Sequence, residues 1–499
     1  MERYLDPNRI FSKNKDDNFS QFSVFKELLV LEINNSFRHL PSPVRLDKKG
    51  RLKATAGVFN ILKTKNFHIH HAGFPGGREG EEIIKILEHF RSIHFSQCQF
   101  NLSSIDLKLT NVSFFDCLFS TTYEVLNIKL RAEYSYDDCL YQHCKFEGNL
   151  LCGIDDEKHK TVIQHPLFSN CSFAKNIELR NTELKGYLFD PDPRYPTRLG
   201  SLIAKNCIFQ SGTYLNIKNI MSKAVFRSCL FKGKFEFKKN KIDNLFIDDC
   251  NFEKVADFYG SSFQRFNINK SIFSTFAGFE NCTFGSSHLE HTITIRKAKP
   301  HRMTAHFSHV TFLEHSSFRS ARFEEGLNIE KINTIEPPNF HETYVSYKRT
   351  NKETFRIIKH SLDAHGAHIE ANKYFALEMK KHQQEKTLNF WDGLIYKANG
   401  LTSNFGQSYL RAITCIIILS VVFSLLTVGQ DSNLLYKIHP PANDGLRLIS
   451  DLLNNFALGF LPFKQFLRPG MEFLSLLFYI MFGVLIWQTI VSMKRLIRR

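Results

Sequence analysis

The side chains with the most chemistry in this chain are its eleven cysteines and twenty-one histidines. A metal site needs such ligands in close pairs, typically Cys-x-x-Cys, so that several converge on one ion. No such cysteine pair is present. Histidines gather in three places: His68, His70 and His71; His301, His306 and His309; His360, His365 and His368. Spacing alone does not make ligands converge, so each group reads as strand or surface histidine. The nucleophile and metal-hydrolase signatures Gly-x-Ser-x-Gly and His-Glu-x-x-His do not occur. The run from Gly73 to Gly80 lacks the Gly-Lys-Ser/Thr ending that closes around a phosphate, and reads as a turn. No catalytic set, metal or cofactor is expected, and the chain does not read as an enzyme.

Disulfides are not expected either. Met1 to Asp6 opens no apolar signal-peptide core. The large N-terminal part is therefore expected in a reducing compartment, where disulfides are rare. The cysteines then read as small buried thiols. Eight of them stand two residues before a phenylalanine: Cys98/Phe100, Cys117/Phe119, Cys144/Phe146, Cys171/Phe173, Cys207/Phe209, Cys229/Phe231, Cys250/Phe252 and Cys282/Phe284. Several successive pairs are 19 to 22 residues apart. Phenylalanine itself is over-used, with 49 against 16 tyrosines and 2 tryptophans. That bias points to a repeated slot that fits one side chain.

The element behind the slot has a period of five. Large apolar residues run Phe252, Phe258, Phe263, Ile268, Phe273, Phe279 and Phe284. Two residues before each stands a mostly small one: Cys250, Ala256, Ser261, Ser271, Ala277 and Cys282, with Phe266 the exception. The same step recurs at Phe95, Phe100 and Ile105, and from Phe307 to Phe323. A helix would space apolar residues by 3.6 and a strand by 2. A step of five suits a chain that turns a corner every five residues, with the large residue and its small partner inside. Four sides make a coil of about twenty residues, and stacked coils bury one continuous column.

These residues resemble the pentapeptide-repeat family, whose fold is a right-handed quadrilateral β-helix. The resemblance covers roughly Ser92 to Ile329. This chain departs from it in using Phe where the family prefers a central Leu, and in insertions near Thr121–Tyr141, Leu151–Pro166, Pro191–Ile203 and His288–Met303. The expected layout is an N-terminal α/β cap over residues 1–90 and the β-helix over 91–335. A two-helix linker over 336–408 and a two-helix transmembrane hairpin over 409–499 follow. Within the linker, Phe355–Lys359 with Glu370, Tyr374 and Glu378 is similar to the segment that joins repeats to membrane in membrane-bound members.

Ala412–Val428 and Phe473–Met493 are each apolar enough, and close enough to twenty residues, to cross a bilayer. Lys397 and Arg411 precede the first, and Lys494, Arg495, Arg498 and Arg499 close the second. Basic residues favour the cytoplasmic side, so both termini are expected there, at the inner membrane. Between the spans, residues 445–463 hold an amphipathic stripe that includes Asn454, Asn455, Phe456, Gly459 and Phe460. It reads either as an interfacial helix or as a re-entrant pore segment, though it has no Thr-x-Gly-Tyr-Gly filter run.

Net charge is +16 and spread along the chain. The densest basic clusters are Lys232, Lys234, Lys238, Lys239 and Lys241, then Arg296, Lys297 and Lys299. They read as a solvated face or as a patch for anionic lipid or nucleic acid. The leading expectation is a membrane-tethered scaffold or sensor that displays its solenoid to a cytoplasmic protein partner, in bacterial envelope stress or phage defence. The alternatives are a homo-oligomeric channel gated by the solenoid, and nucleic-acid or lipid binding through the basic coils.

Overall fold

The computed structural model describes residues 15–105, 111–125, 139–153, 160–285, 305–384, 389–431, 453 and 467–497. The chain forms two compact units, Met1–Thr350 and Asn351–Arg499. The first is built around a parallel β-solenoid of about 11 turns in residues 66–345. One 22-stranded sheet and two five-stranded sheets make its walls.

Inward residues stack in rows, in register from strand to strand. One row runs Phe74, Phe100, Phe119, Phe146, Phe173 and Leu199, with Met221, Ile242, Phe263, Phe284, Phe323 and Val345 following in the same way. A second runs Cys152, Leu179, Ala204, Phe226, Ile247, Ile268 and Phe307. A third runs Leu184, Phe209, Phe231, Phe252, Phe273 and Phe312. A fourth holds Phe95, Phe114, Tyr141 and Phe168 in one five-stranded sheet. Beside the other, the rings of Phe258, Phe279 and Phe318 stack in turn.

The geometry accounts for the phenylalanine bias. Neighbouring strands lie about 4.7–4.9 Å apart. A flat ring laid on its neighbour at that spacing makes full contact. The rings of Phe231, Phe252 and Phe273 are 4.6 Å apart and 4° from parallel.

The corners depend on left-handed backbone. Gln97, Asp116, His143, Asn170, Asn206, Ser228 and Asp249 have φ from +51° to +57°, and each immediately precedes a small-slot cysteine. Asn, Asp and His are the non-glycine types that tolerate this conformation best. They supply five of the seven positions.

Three sequence expectations change. Phe266 is buried like its row-mates Ile177, Leu202, Ala224 and Leu245, because the minus-two slot of the second row takes large residues. In two strands volume is balanced, Leu202 with Ala204 and Ala224 with Phe226, which keeps the interior filled. The coils begin at Asn66, inside the stretch read as a cap, since Asn66–His70 pairs with Ser92–Ser96 and Gly73–Phe74 with Gln99–Phe100. They continue past Ile329 to Val345. The run from Gly73 to Gly80 is not a turn throughout: Gly73–Phe74 is a strand and helix starts at Gly77. Gly80 is fixed by packing, because a Cβ there would lie 2.0 Å from the Pro75 carbonyl oxygen. Of the expected insertions, residues 126–138, 154–159 and 286–304 lie outside the described residues.

Before the coils come helices α1 (Lys15–Ser36) and α2 (Ala56–Leu62); α3 (Gly77–Ile86) lies within the first turns. On α1, Phe25 meets the edge of Phe74, the first ring of its row, at 5.8 Å. Phe37, just beyond α1, packs on Phe67 and Phe90. These contacts cover apolar surface at the open end of the solenoid.

The second unit is helical. Helices α4 (Lys352–Ala364) and α5 (His368–Gln383) pack together across a break at Gly366, whose φ is +76°. Arg356 ties them: its Nε donates to Glu378 Oε1 at 2.8 Å and its Nη1 to Glu353 at 3.0 Å. Helix α6 (Phe390–Ser403) was not anticipated as an element. Helices α7 (Tyr409–Asp431) and α8 (Glu472–Ile497) contain stretches with mean hydropathy of 2.3 and 2.1, long and apolar enough to cross a membrane.

Candidate functional site

The cysteine–phenylalanine pairs are interior parts. Cys98, Cys117, Cys171, Cys207, Cys229, Cys250 and Cys282 are all buried, as are Phe100, Phe119, Phe173, Phe209, Phe231, Phe252, Phe258, Phe263, Phe273, Phe279 and Phe284. They occupy two rows, not one. Cys98, Cys117, Cys144 and Cys171 share a row with Cys282, whereas Cys207, Cys229 and Cys250 belong to the third row. This explains why their spacing breaks after Cys171 and after Cys250.

The thiols also bond, which a purely apolar reading overlooks. Cys98 Sγ donates to Ser96 O at 3.4 Å and Ile69 O at 3.5 Å. Cys229 Sγ donates to Arg227 O at 3.3 Å and Ala204 O at 3.6 Å. Hydroxyls do the same elsewhere: Thr182 donates to Arg180 O and Cys152 O, and Thr343 to Phe318 O. Where the small slot holds Cys or Thr, it adds a compact donor to corner carbonyls such as Ser96 O and Arg227 O, which also accept from backbone N–H groups. Burial pushes the Cys144, Cys152 and Cys229 thiols well up, and Cys282 to about 12. They are neutral and poor nucleophiles at physiological pH.

The histidines do not converge. His68 and His94 stack at 4.7 Å on adjacent strands, and His94 Nδ1 meets Ser113 Oγ at 2.5 Å. His365 bonds Ser361 O and His368 bonds Asp363. His301 lies outside the described residues. Among the described residues no group of three or more His, Cys, Asp or Glu could hold a metal ion.

The lysines close in sequence are not gathered on one wall. Lys232 follows the third-row strand Leu230–Phe231; Lys234 and Lys238 flank the strand Phe235–Glu236; Lys239 sits at a corner with φ +54°; Lys241 opens the strand Lys241–Asp248. Two are already paired, Lys234 with Glu236 and Lys238 with Glu236 and Asp257. Arg296, Lys297 and Lys299 lie outside the described residues, as do Asn454, Asn455, Phe456, Gly459 and Phe460.

A different surface stands out on the solenoid. Outward residues of five successive long strands line an open groove of about 720 Å³. Ile203, Val225 and Phe246 form an apolar floor, continued by Asn267 and His306. Lys205, Lys223 and Arg227 stand along it. Arg227 pairs with Asp248 at 3.6 Å, and Asn269 donates to the same carboxylate at 2.8 Å. Lys205 and Lys223 make no ion pair among the described residues. Burial lowers the His306 pKa, so at neutral pH it adds no charge. The groove combines apolar contact, side-chain amides and two lysines without an ion pair among the described residues. Sequence reading missed it because its residues are about twenty positions apart and do not repeat. Only the coil register, once known, aligns them.

In the second unit, Arg495 Nη1 donates to Phe405 O at 2.6 Å, and its guanidinium lies over the Phe375 ring at 4.6 Å. Asn372 Nδ2 donates to Arg495 O at 3.2 Å. These contacts fasten the end of α8 to α5 and to the turn before α7.

No protein-family model, curated protein or solved structure matches the chain.

Proposed function

We propose that this chain is a membrane-tethered scaffold or sensor of the pentapeptide-repeat type, with its solenoid and both termini on the cytoplasmic side. Support for the repeat type comes from four inward rows per turn and a small residue two before most large ones, the pattern of a right-handed quadrilateral helix. The observation that carries the tether is the exposure of α7 and α8. Ile417, Leu425 and Trp487 are each more than half exposed. In water such helices would have to find cover; in lipid that surface is already satisfied. Lys397, Arg411, Lys494 and Arg495 flank the spans and favour the cytoplasmic side.

The recognition element of this reading is the groove floored by Ile203, Val225 and Phe246. Lys205 and Lys223, which make no ion pair among the described residues, suit an acidic protein segment that also carries apolar side chains. Two measurements test the proposal. The full chain should stay with membranes through an alkaline carbonate wash, and a reporter fused to its C-terminus should be active only if cytoplasmic. Release by carbonate would end the tether reading. A photo-crosslinker at Val225 should capture a protein that one at Lys232, on another wall, does not. Equal capture at both would remove the groove from the account.

A further inference from the structure

The unanticipated helix α6 carries an inference that rests on the tether reading and extends it. At 100° per residue, Gly393, Tyr396, Asn399, Gly400 and Ser403 share one side of α6, and these, with Thr402 on the other side, are its shielded residues. That side faces the rest of its own unit. Tyr396 lies 5.2 Å from His382 of α5. Thr402, on the opposite side near the C-terminal end of α6, bonds Gln488 Oε1 of α8 through its Oγ1. A Cβ on Gly400 would touch the Phe405 ring at 3.3 Å.

Apart from Thr402, the large residues of the opposite side are apolar and bare. Phe390, Trp391, Leu394, Ile395 and Leu401 fill one arc, with exposures from 51% to 77%. Lys397 stands at one border of the arc.

The position of this arc identifies its cover. Thr402 meets Gln488, next to Trp487 on the exposed surface of α8. Gln488 lies about 10 Å along the helix axis from Arg495. The C-terminal end of the arc therefore lies beside the second span, about two turns from that span's basic end. Trp391 and Trp487 are the only tryptophans in the chain, and both are exposed here. Tryptophan concentrates at the headgroup level of membranes, and amphipathic helices bury their apolar side to about 5–10 Å there. We propose that α6 is a membrane-surface helix, with the arc of Phe390, Trp391, Leu394, Ile395 and Leu401 set into the headgroup region of the lipid that surrounds the two spans.

The two tryptophans provide the test. Full-length Trp487→Phe, which leaves Trp391, and Trp391→Phe, which leaves Trp487, are reconstituted into phosphatidylcholine vesicles. The lipid is brominated either near the headgroup or near the chain ends. Both tryptophans should be quenched, Trp391 more by the shallow bromines. Adding Leu394→Glu and Ile395→Glu should weaken Trp391 quenching while leaving Trp487 quenching intact. Quenching of Trp487 without Trp391 would overturn the proposal and spare the tether. Quenching of neither would remove the tether and the proposal together. A Trp391 shielded from lipid, with emission that shifts as protein concentration rises, would assign the arc to a second copy of this chain and overturn the proposal.

Discussion

Replacing Phe252 by alanine tests whether stacked rings hold the solenoid together. Phe252 is fully buried, with Phe231 and Phe273 each 4.6 Å away and Phe235 edge-on at 5.3 Å. Removing a buried Phe costs about 3–5 kcal/mol, and the loss grows with the cavity left behind. The upper part of that range is expected, because the strands cannot close over the void. Asn251 N donates to Cys229 O and Glu253 N to Phe231 O, both at 2.9 Å, and these bonds fix the spacing. Leucine keeps most of the volume and forfeits the ring pairs, each worth about 0.5–1.5 kcal/mol. Phe252→Leu, which forfeits the two stacked pairs, should therefore cost about 1–3 kcal/mol. Solenoid stability is close to a sum of nearest-neighbour terms, so the damage should stay local. Hydrogen exchange of the full chain in detergent reads this directly. For alanine, amides of the Phe231, Phe252 and Phe273 strands should exchange roughly 10²- to 10⁴-fold faster, with little change in the strands around Phe100. Equal effects of leucine and alanine, or uniform loss along the chain, would refute the ring-ladder argument.

Other perturbations have signed outcomes. Cys229→Ser preserves donation to Arg227 O and Ala204 O and should change stability by less than about 1 kcal/mol, whereas Cys229→Val removes the donor and should cost about 1–3 kcal/mol; thermal unfolding distinguishes them. The Cys282 thiol is raised by burial from its ordinary 9.0 to about 12. Its contribution is thus complete below pH 9 and lost as pH rises toward 12, since the unfolded chain gives up the proton first. Cys282→Ser should flatten that alkaline decline in a stability-versus-pH series. Arg356→Leu strands the buried Glu378 carboxylate and should loosen α4 from α5 by about 1–3 kcal/mol. Faster amide exchange confined to those helices would be the readout, and unchanged exchange would show that the pair holds nothing.

The coil was legible because its inward positions repeat and each repeat obeys the same steric rule. The period from Phe252 to Phe284 marks the slots directly, and the break at Gly366 marks the helix pair. What was not legible depends on long-range register. Phe266 looked like an exception until the second row showed its neighbours Leu245 and Ile268 sharing one volume. The coils hidden before Phe90 escaped because Phe67, Ile69 and Phe74 keep the inward positions without a cysteine two residues earlier. Helix α6 had a visible signal in Phe390, Trp391, Leu394, Ile395 and Leu401 at three- and four-residue steps. Such an arc is ordinarily buried against the core, whereas the folded unit turns it outward.

That reversal bears on where recognition can reside. In a solenoid the repeated residues are consumed by packing, so a row such as Phe209, Phe231, Phe252 and Phe273 can change only by losing stability. Outward positions carry no such constraint and are free to differ from coil to coil. Ile203, Val225, Phe246, Asn267 and His306 occupy equivalent outward positions on successive strands and share no pattern. An aperiodic surface on a periodic frame is what selective contact requires, because identical coils would offer a partner many equivalent registers. The same reasoning sets the groove apart from the lysines around Lys234: Lys234 and Lys238 are balanced by Glu236 and Asp257, whereas Lys205 and Lys223 make no ion pair among the described residues and stand beside an apolar floor.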